Sequence, residues 1–137
     1  MASIRKEFLV EAGADQVWSA VRDFGAVHQR LAPGFVVDAQ LDGDARVVTF
    51  GNGMVARERL IDLNDETRRL VYSVVGGRFT HDNSSVQIFA EGEQRCRFVW
   101  TRDMLPNELA GPVDAMMTQA TGVMKKTLEA GVGARAA

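Results

Sequence analysis

The chain has 137 residues, 46% hydrophobic and 25% charged, with a formal net charge of -2 at pH 7. Such a length fits one domain that buries roughly two thirds of the surface its unfolded form exposes, enough to enclose a cavity without disulfides or a structural metal. The near-neutral balance gives no field to draw in nucleic acid or anionic lipid, and a single cysteine, Cys96, excludes an intrachain disulfide.

The chain opens with "IRKEFLVEA", Ile4 to Ala12, which reads as a strand with Phe8 and Val10 on one face. Charges scattered through "MASIRKEFLVEAG" leave no continuous apolar core, so this start is expected to be neither signal peptide nor membrane span, and the protein to be cytoplasmic. Gly13 ends the strand. Val17, Trp18 and Val21 are then spaced for one helical face, with Asp15 as a first-turn acid, and Gly25 breaks the pattern before a second short helical turn.

From Phe35 to Arg102 the period becomes two. Six alternating runs, "FVVDAQL", "ARVVTF", "MVARERLIDL", "RLVYSVV", "SSVQIFAEG" and "CRFVWTR", are separated by "DGD", "GNG", "NDET", "GG" and "GEQ". Short polar turns between alternating runs predict successive antiparallel hairpins in one meandering sheet. After Pro106, Leu109, Val113, Met116, Met117, Ala120, Val123, Met124 and Leu128 recur at helical spacing, which predicts one long amphipathic helix. Pro112 either sits in its first turn or kinks it. Residues 131–137 are expected to fray, leaving one domain over residues 1–130.

The order of strand, two short helices, six strands and long helix predicts an α+β fold, a curved seven-stranded antiparallel sheet wrapped around the C-terminal helix. Such an arrangement leaves room for a concave apolar cavity.

Three segments resemble the START-like superfamily, also called SRPBCC or helix-grip, with its polyketide cyclases and dehydrases, birch-pollen allergen relatives, lipid-transfer domains and plant abscisic-acid receptors. They are "ADQVWSAVRDFGAV", "ARVVTFGNG" leading into "ERLIDLNDETRRLVYSVVGG", and "WTRDMLP" before the last helix. The hairpin "ERL", acidic turn, "YSVVGG" is similar to that of the abscisic-acid receptors and their bacterial relatives. The two loops that close over hormone in those receptors are absent as motifs, their places reading "GNGM" (Gly51 to Met54) and "RFTHDN" (Arg78 to Asn83); "LAPG" (Leu31 to Gly34) lacks the tryptophan of many bacterial members. The resemblance therefore implies a cavity and not hormone reception.

By the same resemblance Glu58 points into the cavity and Tyr72 forms an aromatic wall, while alternation puts Ala56 and Leu60 on Glu58's face. From the residues alone, "RERLIDLNDE" reads first as a solvated charged face, since an unpaired buried Glu is rare; the resemblance brings the two readings level. An inward carboxylate would act as proton donor or acceptor, or orient a polar ligand group. Arg57, Arg59, Arg95, Arg97 and Arg102 read as solvated sheet surface, with Arg97 or Arg102 the alternatives for an inward anion partner. His81 and His28 fall in loops that the resemblance puts at the cavity mouth, where an imidazole can bond a ligand or shuttle a proton; each also reads as a solvated loop histidine.

Phe50, Met54, Phe79, Val113, Met116, Met117, Ala120 and Met124 complete the expected pocket wall, the methionines making it adaptable. The candidate ligand-binding set adds Asn83, and the candidate catalytic set is Glu58, Tyr72 and His81. No metal is expected, since His28, His81 and Cys96 lack ligand spacing, and neither a cofactor nor a covalent nucleophile is indicated. Three functions remain open: a carrier of a hydrophobic small molecule, a cyclase-like enzyme using acid-base chemistry, or an interaction module with a collapsed cavity, as monomer or homodimer.

Overall fold

The computed structural model describes residues 1–136, with side chains through residue 131. Its strands are β1 (Ala2–Val10), β2 (Val36–Asp42), β3 (Ala45–Phe50), β4 (Val55–Asn64), β5 (Arg69–Val75), β6 (His81–Ala90) and β7 (Cys96–Leu105). Between β1 and β2 lie helix α1 (Ala14–Arg22), a single 3-10 turn (Phe24–Ala26) and the one-turn α2 (Val27–Arg30); after β7 come a 3-10 turn (Asn107–Leu109) and α3 (Ala110–Ala136). This is the α+β helix-grip arrangement.

Every strand pairs antiparallel with its neighbour in the order β1-β7-β6-β5-β4-β3-β2. Six strands follow one another as hairpins, and β1 returns to the far edge, Ala2 opposite Met104 through Val10 opposite Cys96. That register explains why β1 stops at Val10 and not at Ala12: β7 begins at Cys96 and offers no further partner. Irregularities at Val36/Asp38 and Leu60/Asp62 each break the ladder. Extra residues of this kind bend a strand and raise its twist, which helps curve the sheet around the helix.

Along α3, Leu109 in the preceding turn and then Val113, Met117, Ala120, Met124 and Leu128 are buried, the stripe that three- and four-residue spacing projects onto one face. Burying a side chain of this size stabilises by about 1.5–3 kcal/mol. Pro112 is the third residue of α3. It lies in the first turn, where the missing N–H has no intrahelical acceptor to lose. Helical backbone extends to Ala136, into the segment expected to fray.

The inner sheet face, α3 and the α1/α2 corner share one core, whose fully buried large side chains include Phe98, Ile88, Met104 and Met117. The same concave face carries charge.

Candidate functional site

Alternation decides which side chains each strand offers to the interior. β3 presents Arg46, Val48 and Phe50; β4 presents Ala56 and Glu58; β5 presents Leu70, Tyr72 and Val74; β7 presents Trp100 and Arg102. All of these line a cavity of about 730 Å³, a volume within the range of small-molecule sites. Val113, Met116, Gln119 and Met124 of α3 cover it, and Val21, Val27 and Leu31 close the end near the short helices. The exposed turns Gly51–Met54 and Gly76–Arg78, both on the lining, mark its mouth.

The mouth is held by backbone. Gly51 N–H donates to the Phe35 carbonyl at 2.9 Å, and a Cβ built on Gly51 would stand 2.5 Å from the Gly34 carbonyl oxygen. Only glycine fits there without displacing the loop. Gly76 and Gly77 have φ of 80° and 66°, a left-handed conformation that costs side chains dearly.

Two ion pairs cross the floor. Arg46 Nε donates to Glu58 Oε1 at 2.7 Å, and its Nη1 to the Phe24 carbonyl at 3.1 Å. Its guanidinium carbon lies 4.0 Å from the centre of the Phe24 ring and 5.2 Å from that of Tyr72. Arg102 Nε donates to Asp82 Oδ1 at 2.7 Å, while Asp82 Oδ2 accepts from Val74 N–H at 2.8 Å; Phe79 lies over Arg102 at 4.9 Å. All four charged residues are buried. Charge at this depth persists only when paired and hydrogen-bonded, and here each carboxylate meets a guanidinium.

Tyr72 lies between the pairs, fully within the interior. Burial first, and the Glu58 charge second, push its phenol up to about 12 against the pull of Arg46 and Arg102. It stays neutral through the physiological range. Burial also pushes the Cys96 thiol up to about 11, which makes it a small apolar filler and not a nucleophile.

Of the residues singled out in the sequence, Phe50, Met54, Ala56, Glu58, Tyr72, Phe79, Val113, Met116 and Met124 come together around this cavity. Six expected positions do not. Asn83 and His81 share the outer face of β6, whose inward residues are Asp82, Ser84 and Val86; His81 is exposed, beside a small depression formed with Ser73 and Thr80. Leu60 follows Glu58 on the inward face but packs against the core beyond the cavity, next to the irregularity at Ile61. Met117 and Ala120, both fully buried, lie in the packed core and not on the cavity wall. His28 lies on α2, outside the lining.

Arg57, Arg59, Arg95 and Arg97 face solvent in exposed ion pairs, whereas Arg102 is turned inward. Sequence reasoning passed over Arg46 and Asp82. The signal for Arg46 was its phase: in "ARVVTF" it alternates with Val48 and Phe50, the apolar side of β3. Among the described residues no three His, Cys, Asp or Glu side chains converge as a metal set would, and no helix is long and apolar enough to cross a membrane.

Solved structures share the architecture. A protein of Thermobifida fusca is 26% identical with a TM-score of 0.78, covering 94% of this chain and 91% of its own. A START superfamily protein of Mycobacterium smegmatis is 19% identical with a TM-score of 0.74 over 96% and 97%. Norcoclaurine synthase of Thalictrum flavum, solved with dopamine and hydroxybenzaldehyde, is 20% identical with a TM-score of 0.71 over 96% and 86%. The last two likenesses are of fold alone. No curated protein matches the chain. The family model described as polyketide cyclase / dehydrase and lipid transport matches residues 1–133, all seven strands, the entire cavity wall and nearly all of α3, and the chain belongs to that family.

Proposed function

We propose that this protein binds a hydrophobic small molecule, a lipid, polyketide or isoprenoid-like compound, in the cavity between sheet and α3. The observation that carries the reading is the hollow itself. A sheet and helix free to pack solidly would fill their interface to the density of a protein interior, and here about 730 Å³ remains, walled mostly by Val, Leu, Phe and Met. An empty space of that size forgoes dispersion contacts that a guest would restore.

Among the alternatives, carriage is favoured over acid-base catalysis by the state of the carboxylates. Both oxygens of Asp82 accept hydrogen bonds, and Glu58 is held in an ion pair with Arg46 through Oε1, which leaves Oε2 as the single carboxylate oxygen of the two pairs outside a hydrogen bond. A general acid or base needs a free path to the substrate proton. The open cavity also argues against an interaction module built on a collapsed one.

The test is native mass spectrometry of protein purified from its own source. One apolar small molecule per chain, released on unfolding, is the expected result. A chain that arrives without a guest and takes up no apolar compound in vitro contradicts the reading.

A further inference from the structure

The floor of the cavity is asymmetric in its hydrogen-bonding capacity, and this bears on what the guest must look like. Arg102 meets Asp82 through Nε alone. A guanidinium has five N–H donors in a fixed fork, so the four on its two terminal nitrogens stand outside that bond. Phe79 lies against the Arg102 guanidinium, and the side chain is 5% exposed while lining the cavity. Arg46 likewise commits Nε and Nη1 but not Nη2. The acceptors on this floor are fewer: Asp82 uses both oxygens, and Glu58 gives Oε1 to Arg46, which leaves Oε2 alone outside a hydrogen bond.

A second observation falls in the same corner. Ser84, directly opposite Arg102 in the β6–β7 register, has a buried hydroxyl with no hydrogen-bond partner, and so does the indole N–H of Trp100, two residues from Arg102 on the same face. Unpaired buried polar atoms are rare in folded proteins and call for a reason. Arg102 and Trp100, both on the cavity lining, thus hold N–H groups without acceptors, while the Ser84 hydroxyl behind them can donate or accept. Free N–H groups outnumber free oxygens here, so an oxygen acceptor is what this corner is best equipped to receive.

We propose that Arg102 is the specificity-determining residue of the cavity, receiving a carbonyl or carboxylate oxygen at the polar end of an otherwise apolar guest. The inference rests on the carrier reading above. A guest with a donor-only head, such as an amine, would bring a second cation against the Arg102 guanidinium. A guest with no polar head would leave the guanidinium edge unsolvated on closing the cavity, which costs more than leaving it in contact with water.

The experiment compares dissociation constants for guests of one chain length: decanoate, the matching methyl ketone, decylamine and decane. A cavity-seeking dye, N-phenylnaphthylamine, serves as the reporter to be displaced. Decanoate and the ketone are expected to bind at least about tenfold more tightly than decylamine, a difference of about 1.4 kcal/mol. Decanoate ahead of the ketone assigns the preference to charge, and equal binding assigns it to the oxygen acceptor; both support the proposal. The paired variant Arg102→Met with Asp82→Asn, which removes the guanidinium without stranding a carboxylate, should lose the preference. Should that variant fail to fold, Arg46→Met with Glu58→Gln is read in its place: a preference it keeps supports Arg102, and a preference it loses overturns the assignment.

Equal affinity for decylamine and decanoate in the wild type, or an acceptor preference that survives in the folded variant Arg102→Met with Asp82→Asn, overturns the proposal while leaving the carrier reading standing. Failure of the dye and of every guest to bind overturns both.

Discussion

Arg46 and Glu58 stand directly opposite one another on β3 and β4, and the guanidinium Nε donates to Glu58 Oε1 at 2.7 Å inside the cavity floor. Side-chain exposures of 6% and 10% put the pair well away from bulk solvent. Removing one partner strands the other, which for buried pairs costs about 3–5 kcal/mol. Arg46→Met and Glu58→Gln are each expected to destabilise by an amount of that order, and the double variant by clearly less than their sum. Chemical denaturation of the four proteins checks this as a double-mutant cycle. Additive losses would mean that the pair is not coupled.

Tyr72 is the only tyrosine in the chain, so the tyrosinate absorbance reports one group. Its phenol is pushed from 10.0 to about 12, mainly by burial. The folded state therefore holds this proton more tightly than the unfolded state does. The resulting stability is fully present below about pH 10, falls as pH rises toward 12, and is gone above it; two pKa units correspond to about 3 kcal/mol. Native protein is expected to ionise near pH 12 and denatured protein near 10. A native midpoint near 10 would put the phenol in water.

Gly51 and Gly122 make opposite forecasts from the same substitution. At Gly51 a methyl group would meet the Gly34 carbonyl at 2.5 Å, whereas at Gly122, inside α3, nothing lies within 4 Å. Gly51→Ala is expected to destabilise by about 1–3 kcal/mol, because one backbone must move. Gly122→Ala should stabilise by about 0.5–1 kcal/mol through reduced chain entropy in the unfolded state. Thermal midpoints read both. A Gly51→Ala protein as stable as the parent would show that the mouth is not held at Phe35.

The fold was legible because periodicity carries it: alternating runs with Gly and Asn turns give the meander, and the stripe from Leu109 to Leu128 gives α3. The return of β1 onto β7 was not legible in the sequence, since nothing local in Ala2–Val10 names a partner almost a hundred residues away. Within the site, Glu58 could be assigned an inward position, but its partner could not. Arg46 lies on the adjacent strand, and pairing across a ladder depends on register. Asn83 shows the other difficulty. The alternating run reads as starting at Ser84, which leaves His81 to Asn83 in a loop at the mouth, but β6 starts at His81 and its alternation turns Asp82 and Ser84 inward and Asn83 out. Met117 and Ala120 went astray for a different reason. A single helical stripe serves both as packed core and as cavity cover, and spacing alone does not divide the two roles.

The central claim, that the hollow between sheet and α3 takes a hydrophobic guest, is tested most directly by titrating N-phenylnaphthylamine against the wild type and Ala56→Trp. Ala56 lines the cavity beside Glu58 on β4, so an indole there should occupy the guest's space. Saturable binding of one dye per chain in the wild type, lost in an Ala56→Trp protein that retains the native circular dichroism spectrum, is the result expected. No saturable binding to the wild type, or equal binding by the two folded proteins, would contradict the claim.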